Sequence, residues 1–159
     1  MAELTQLEEK LAEVMGLAQA SQGVTAKVGK LMEDEEIAGQ LERMQQEAKE
    51  TEERCAQVAE SLEGKKTALQ EKARETKQEA EAMMQEYLGD DADALDGLEF
   101  MIMAEAGELG HVEIVGAMNE EVGQAEIREL VDWALPIQQR HFTDTRQSAL
   151  KLAKAEVAG

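Results

Sequence analysis

From Leu4 to Leu152 apolar residues recur at alternating steps of three and four, and the whole chain contains a single proline, Pro136. Residues three and four apart share one face of a helix, whereas a strand would alternate every second residue. Aromatic residues make up only 3% of the sequence, so the core has to be built from Ala, Leu, Val, Ile and Met. That palette favours helices over sheets. At 159 residues the chain is long enough to bury one core. The pattern predicts an all-α, single-domain protein over residues 1–159: a hairpin at 4–62, a connecting helix at 65–88 and a second hairpin at 92–155.

The first helix is expected from about Leu4 to Met32, with Leu7, Leu11, Val14, Ala18, Thr25 and Val28 on its stripe. Gly16, Gly23 and Gly29 each lower its helicity by ~1 kcal/mol relative to Ala and would let a neighbour approach closely. Asp34 suits the N-cap of a second helix running to Leu62, whose stripe includes Ile37, Leu41, Met44, Ala48 and Cys55. Gly64 suits its C-terminal turn. Residues 65–88 are rich in Lys, Arg, Glu and Gln, and are expected to cover one side of the molecule without entering the core. The aspartates at 90, 91 and 93 suit the positive start of a third helix ending at Val122. Gly123 gives the turn into a fourth helix, in which Pro136 should kink the helix or mark a start. Methionines are expected as core filler, and Gly107, Gly110 and Gly116 as close-packing positions.

The formal charge of −19 opposes nucleic-acid and anionic-membrane partners. No segment reaches the length of apolar residues that a membrane span needs. Cys55 is alone, which excludes an internal disulfide, fits a reducing compartment and reads as a buried structural thiol. The acidic start MAELTQLEEK lacks the basic and apolar regions of a signal peptide, so the expected location is cytoplasmic. No phosphate-cradling glycine loop, zinc-type Cys/His spacing or Ser-His-acid spacing is present.

The third helix carries the sharpest chemical signal. Glu108 and His111 lie one turn apart in the middle of a stripe that also holds Met101, Ala104, Val115 and Met118. Burying an unpaired charge there would cost several kcal/mol or more, so both need partners. Folding the second hairpin at Gly123 sets Glu105 opposite His141 and Glu108 opposite Gln138. Folding the first at Asp34 sets Ser21 opposite Glu47. At 1.5 Å per residue the Glu108–Gln138 pair lies roughly 22 Å from its turn and the Ser21–Glu47 pair about 20 Å from its own. A polar layer of Ser21, Glu47, Glu105, Glu108, His111, Gln138 and His141 is therefore expected at one height.

With that layer the chain resembles the ferritin-like superfamily, whose bundles carry Glu and Glu-x-x-His ligands on four inner faces. Glu108-x-x-His111 and Gln138-Gln-Arg-His141 are similar to such motifs. More narrowly, it resembles the bacterial stress-induced ferritin-like family, a domain of unknown function. Gly110-His111-Val112-Glu113-Ile114 is similar to that family's Glu-His-Tyr-Glu-Ile run, and Glu47-Ala-Lys-Glu50-Thr51 to its His-x-Glu-Glu-Thr run. Asp93-Ala94-Leu95 matches its third-helix start. The resemblance implies an antiparallel four-helix bundle with an added helical connection. It also implies a metal centre with Glu105, Glu108, His111 and His141 as ligands and Glu47 and Gln138 supporting. Imidazole with carboxylate suits iron or manganese, and zinc as well. Gly110 and Gln138 stand where the family carries glutamates, Glu47 where it carries a histidine, and Ser21 and Gln22 where the first helix would supply an acid.

Two function classes follow. One is a ferritin-like metal protein in stress, iron or oxidant handling, where ferroxidase or peroxide-consuming chemistry would need iron or manganese. The other is a metal-free structural or protein-interaction bundle that keeps a buried polar layer. Such a bundle would form a homo-oligomer, a dimer, through Gly-rich and Ala-rich helix faces, or present residues 65–88 to a protein partner.

Overall fold

A computed structural model describes residues 2–158, so the terminal positions of the expected 1–159 domain lie outside the described residues. The chain folds into α1 (Gln6–Gly29), α2 (Glu35–Ser61), α3 (Lys66–Tyr87), α4 (Ala94–Val122) and α5 (Ala125–Ala158), with no strand among the described residues.

Each helix begins and ends where local chemistry dictates. Thr5 and Glu8 form a reciprocal capping box at the start of α1, and Asp93 with Asp96 does the same for α4. The Asp34 carboxylate accepts from the backbone N–H groups of Glu36 and Ile37, capping α2. Gly64 and Gly123 adopt positive φ of 75° and 79°, a conformation that costs glycine nothing sterically, and the chain reverses at both. Pro136 lies within α5, which runs through it without restarting. Pro136 and Asp132 are both exposed, so water can satisfy the Asp132 carbonyl that the proline leaves unpaired.

Helix α1 packs on α2, α4 on α5, α1 on α4 and α2 on α5, which closes a ring of four. Helix α3 packs mainly against α1 from outside. Contrary to expectation, α3 contributes to the core, because Ala68, Leu69 and Ala73 are buried against α1. The approach is made possible by Gly16, where a Cβ atom would sit 2.4 Å from the Ala73 carbonyl and 2.7 Å from the Thr76 Cβ. Lys65 reinforces it by pairing with Glu8 at 3.0 Å.

Two apolar clusters fill the interior. Leu11, Met15, Cys55, Leu69, Val115 and Ile127 belong to the first; Val28, Ile37, Leu41, Leu98 and Met101 to the second. Not every methionine is filler, since Met83 is 62% exposed and Met103 47%. Of the expected close-packing glycines, Gly116 abuts Val131, whereas a Cβ at Gly23, Gly29, Gly107 or Gly110 would meet open space. Among the described residues no helix is long and apolar enough to cross a membrane.

Candidate functional site: a buried ionic layer

The interior layer is assembled by α2, α4 and α5. On α5 the apolar period turns His141 inward, where it is 3% exposed. Its Nε2 lies 3.0 Å from Glu47 Oε1 on α2, within hydrogen-bonding reach. Its Nδ1 lies 3.8 Å from Glu105 Oε2 on α4, too far for a hydrogen bond. One turn back on α5, the Gln138 amide donates to Glu105 Oε2 at 2.5 Å. Arg140 grips Glu47 with both terminal nitrogens, at 2.9 and 2.5 Å. This is the fork geometry in which guanidinium and carboxylate pair most strongly.

Glu105 and Glu108 lie on adjacent turns of α4 and hydrogen-bond each other. Burial pushes both carboxyls above their ordinary value, and for Glu108 the Glu105 charge adds to the rise. For Glu105, His141, Glu108 and Gln138 pull the other way, so its rise is the smaller. The consistent assignment is a protonated Glu108 donating to an ionised Glu105, because two like charges in contact cannot both be desolvated cheaply. Burial also raises Glu47, but the hydrogen bonds and charges of Arg140 and His141 outweigh it and hold Glu47 below the usual range. Glu47 thus faces one guanidinium and one imidazole, while Glu105 and Glu108, both raised by burial, share a hydrogen bond.

Beside Glu108 is a cavity of about 10 Å³, bordered by Ala18, Ala48, Thr51, Ala134 and Gln138. That volume holds about one water.

The residues singled out in the sequence separate into two groups. Glu47, Glu105, Glu108, Gln138 and His141 come together. His111 does not: its side chain is 33% exposed, with Nε2 3.3 Å from Glu13 on α1. Its Nδ1 lies 2.8 Å from the Gly107 carbonyl. Ser21 is buried on α1. Arg140 is the member that the sequence reading passed over. It sits at the edge of the α5 stripe, where periodicity places a solvated cation, and its long side chain reaches inward. The available signal was its position next to His141 in a chain with no Lys or Arg from 78 to 127.

Whether this set fits a metal is decided by its donors. Glu47 is engaged twice by Arg140 and once by His141, and Glu105 accepts an amide N–H. Among the described residues no three acidic, histidine or cysteine side chains are grouped so that they could hold a metal ion. As arranged, the donors do not fit one. No family model, curated protein or solved structure matches the chain.

Proposed function

We propose that this chain is a ferritin-like four-helix bundle, similar to the bacterial stress-induced family, in which internal ion pairs occupy the place of a metal centre. It acts as a metal-free structural or protein-interaction module. The bundle reading is supported by two hairpins, α1–α2 and α4–α5, packed as a ring with α3 outside. The metal-free reading is carried by one observation: the Arg140 guanidinium lies on Glu47 from the same turn of α5 that supplies His141. A fixed cation there does for the carboxylates what a divalent ion would do. Buried polar networks that satisfy themselves specify one packing of the helices around them.

The test is metal analysis of protein purified without chelators, before and after incubation with Fe(II), Mn(II) or Zn(II), together with melting curves. The expected result is no stoichiometric metal and an unchanged midpoint. Stoichiometric binding with a raised midpoint, lost in His141→Ala, would replace this reading with a ferritin-like metal protein in iron or oxidant handling.

A further inference from the structure

Helices α4 and α5 leave an open groove along their seam, of about 600 Å³, within the size range of ligand-binding clefts. Its floor is apolar, made by Ala117 on α4 with Val131 and Leu135 on α5. Its rim is acidic on both sides: Glu113 and Glu120 stand on α4 and Asp132 on α5, all exposed. Among the described residues none of these carboxylates has an ion-pair partner. Arg128 is the groove's one cation, and the acids outnumber it. The groove follows α4 from Glu113 to Gly123, about 15 Å at a rise of 1.5 Å per residue. At that end the last turn of α4 holds no base, and the negative end of the macrodipole adds to the carboxylates.

We infer that this groove receives a basic amphipathic helix of a partner protein, with its apolar side chains on the floor and its Lys or Arg side chains at the rim. Charge complementarity decides the class of occupant. An acidic or neutral segment laid over the floor would strip water from Glu113, Glu120 and Asp132 and give them no partner, which is costly. A second copy of this chain, with its net charge of −19, would bring further acids to the same place. A bare polycation would satisfy the rim and leave the floor uncovered.

A helix also suits the shape. The seam between two packed helices accepts a third, whose apolar anchors recur three and four residues apart. Lys and Arg can lay their aliphatic stems on the floor while their charged ends reach the rim. The rim acids are exposed, so salt screens them over about 8 Å and the complex weakens as salt is added. This names a partner for the interaction module proposed above, and it rests on the interaction half of that reading alone.

Fluorescence anisotropy on the full chain tests this, with a labelled synthetic peptide of Leu and Lys in helical period, about 15 residues long so that it can form a helix. Saturable binding of one peptide per chain is expected, weaker at high salt. Glu120→Lys is expected to weaken it about fivefold or more, and Arg128→Gln to tighten it about twofold. Glu79→Lys makes the same change of net charge at an exposed position on α3, and should change affinity less than about twofold. Ala117→Gln makes the floor polar at an exposed position and should weaken binding about fivefold while the melting midpoint stays put. Absence of saturable binding at low salt overturns the inference. Equal losses in Glu120→Lys and Glu79→Lys overturn it, since the overall charge would then hold the peptide at no one place. So does equal binding of a scrambled peptide of the same composition, or undiminished binding by Ala117→Gln, because the floor would then take no part. Metal analysis is read separately: stoichiometric metal with the peptide still bound would overturn the metal-free interior and leave the groove standing, and no metal with no peptide would do the reverse.

Discussion

Arg140 and Glu47, ninety-three residues apart, form a two-pronged ion pair that joins α5 to α2 at the mouth of the interior layer. The pair is only partly withdrawn from water, with side-chain exposures of 31% and 17%. Glu47 is also the hydrogen-bonding partner of His141, so the fate of one buried imidazole depends on it.

Arg140→Met should therefore destabilise the fold by about 1–3 kcal/mol, because Glu47 loses its cation while remaining half-buried. Urea denaturation at neutral pH measures this as a lower midpoint at unchanged slope. His111→Gln, at the half-exposed edge beside Glu13, should fall within about 0.5 kcal/mol of wild type. Equal losses at the two positions would contradict the layer described here.

Stability should depend on pH from both sides. Glu47 is held below its ordinary value of 4.5, so its contribution is present above that pH and lost as pH falls through the folded value. Glu108 is raised well above 4.5, so the folded state binds the extra proton and stability declines as pH rises from there through the folded value. Glu108→Gln, which keeps an N–H donor for Glu105, should reduce the decline on the alkaline side, leaving the smaller share due to Glu105, and cost little at neutral pH. Glu47→Gln should reduce the loss on the acid side, to which Glu8 and Asp34 also contribute. Unfolding free energies measured across the pH range for the three proteins test both signs.

Two glycines of α1 should respond oppositely to alanine. Gly16→Ala places a methyl group against the Ala73 carbonyl and should cost about 1–3 kcal/mol as α3 is pushed away. Gly23→Ala meets open space and should stabilise by about 0.5–1 kcal/mol through helix propensity. Thermal melts of the two variants are sufficient. A neutral Gly16→Ala would mean that α3 is not held closely.

Cys55 should be inert. It is fully buried, and burial with the nearby Glu52 charge pushes its thiol up to about 12. A thiol reagent at pH 8 should label it slowly in the native protein and rapidly in denaturant. Labelling at equal rates would show that the α1–α2 interior opens readily.

Helix positions, the cap at Asp34, the acidic start of α4 and the reversals near Gly64 and Gly123 were legible in the residues, because caps and turns depend on near neighbours; which aspartate caps α4 was not. The inward turn of Glu108 and His141 was legible through the period of their stripes, and that of Glu105 only through folding the second hairpin at Gly123. The burial of α3 was not, since its few apolar residues count only once Gly16 admits them.

What the sequence determined by itself is five helices and the height at which polar groups enter their interior, since both follow from spacing along one chain. What the tertiary structure decided is membership of the layer: Arg140 in, His111 out. The reason is angular. Three residues along a helix fall about 60° short of a full turn, so Glu108 and His111 share a face only loosely. The neighbours then choose: α5 meets Glu105 with Gln138 and His141, and α1 offers Glu13 to His111. A side chain as long as that of Arg140 can cross from the rim to the interior, and only the position of Glu47 on another helix says that it does.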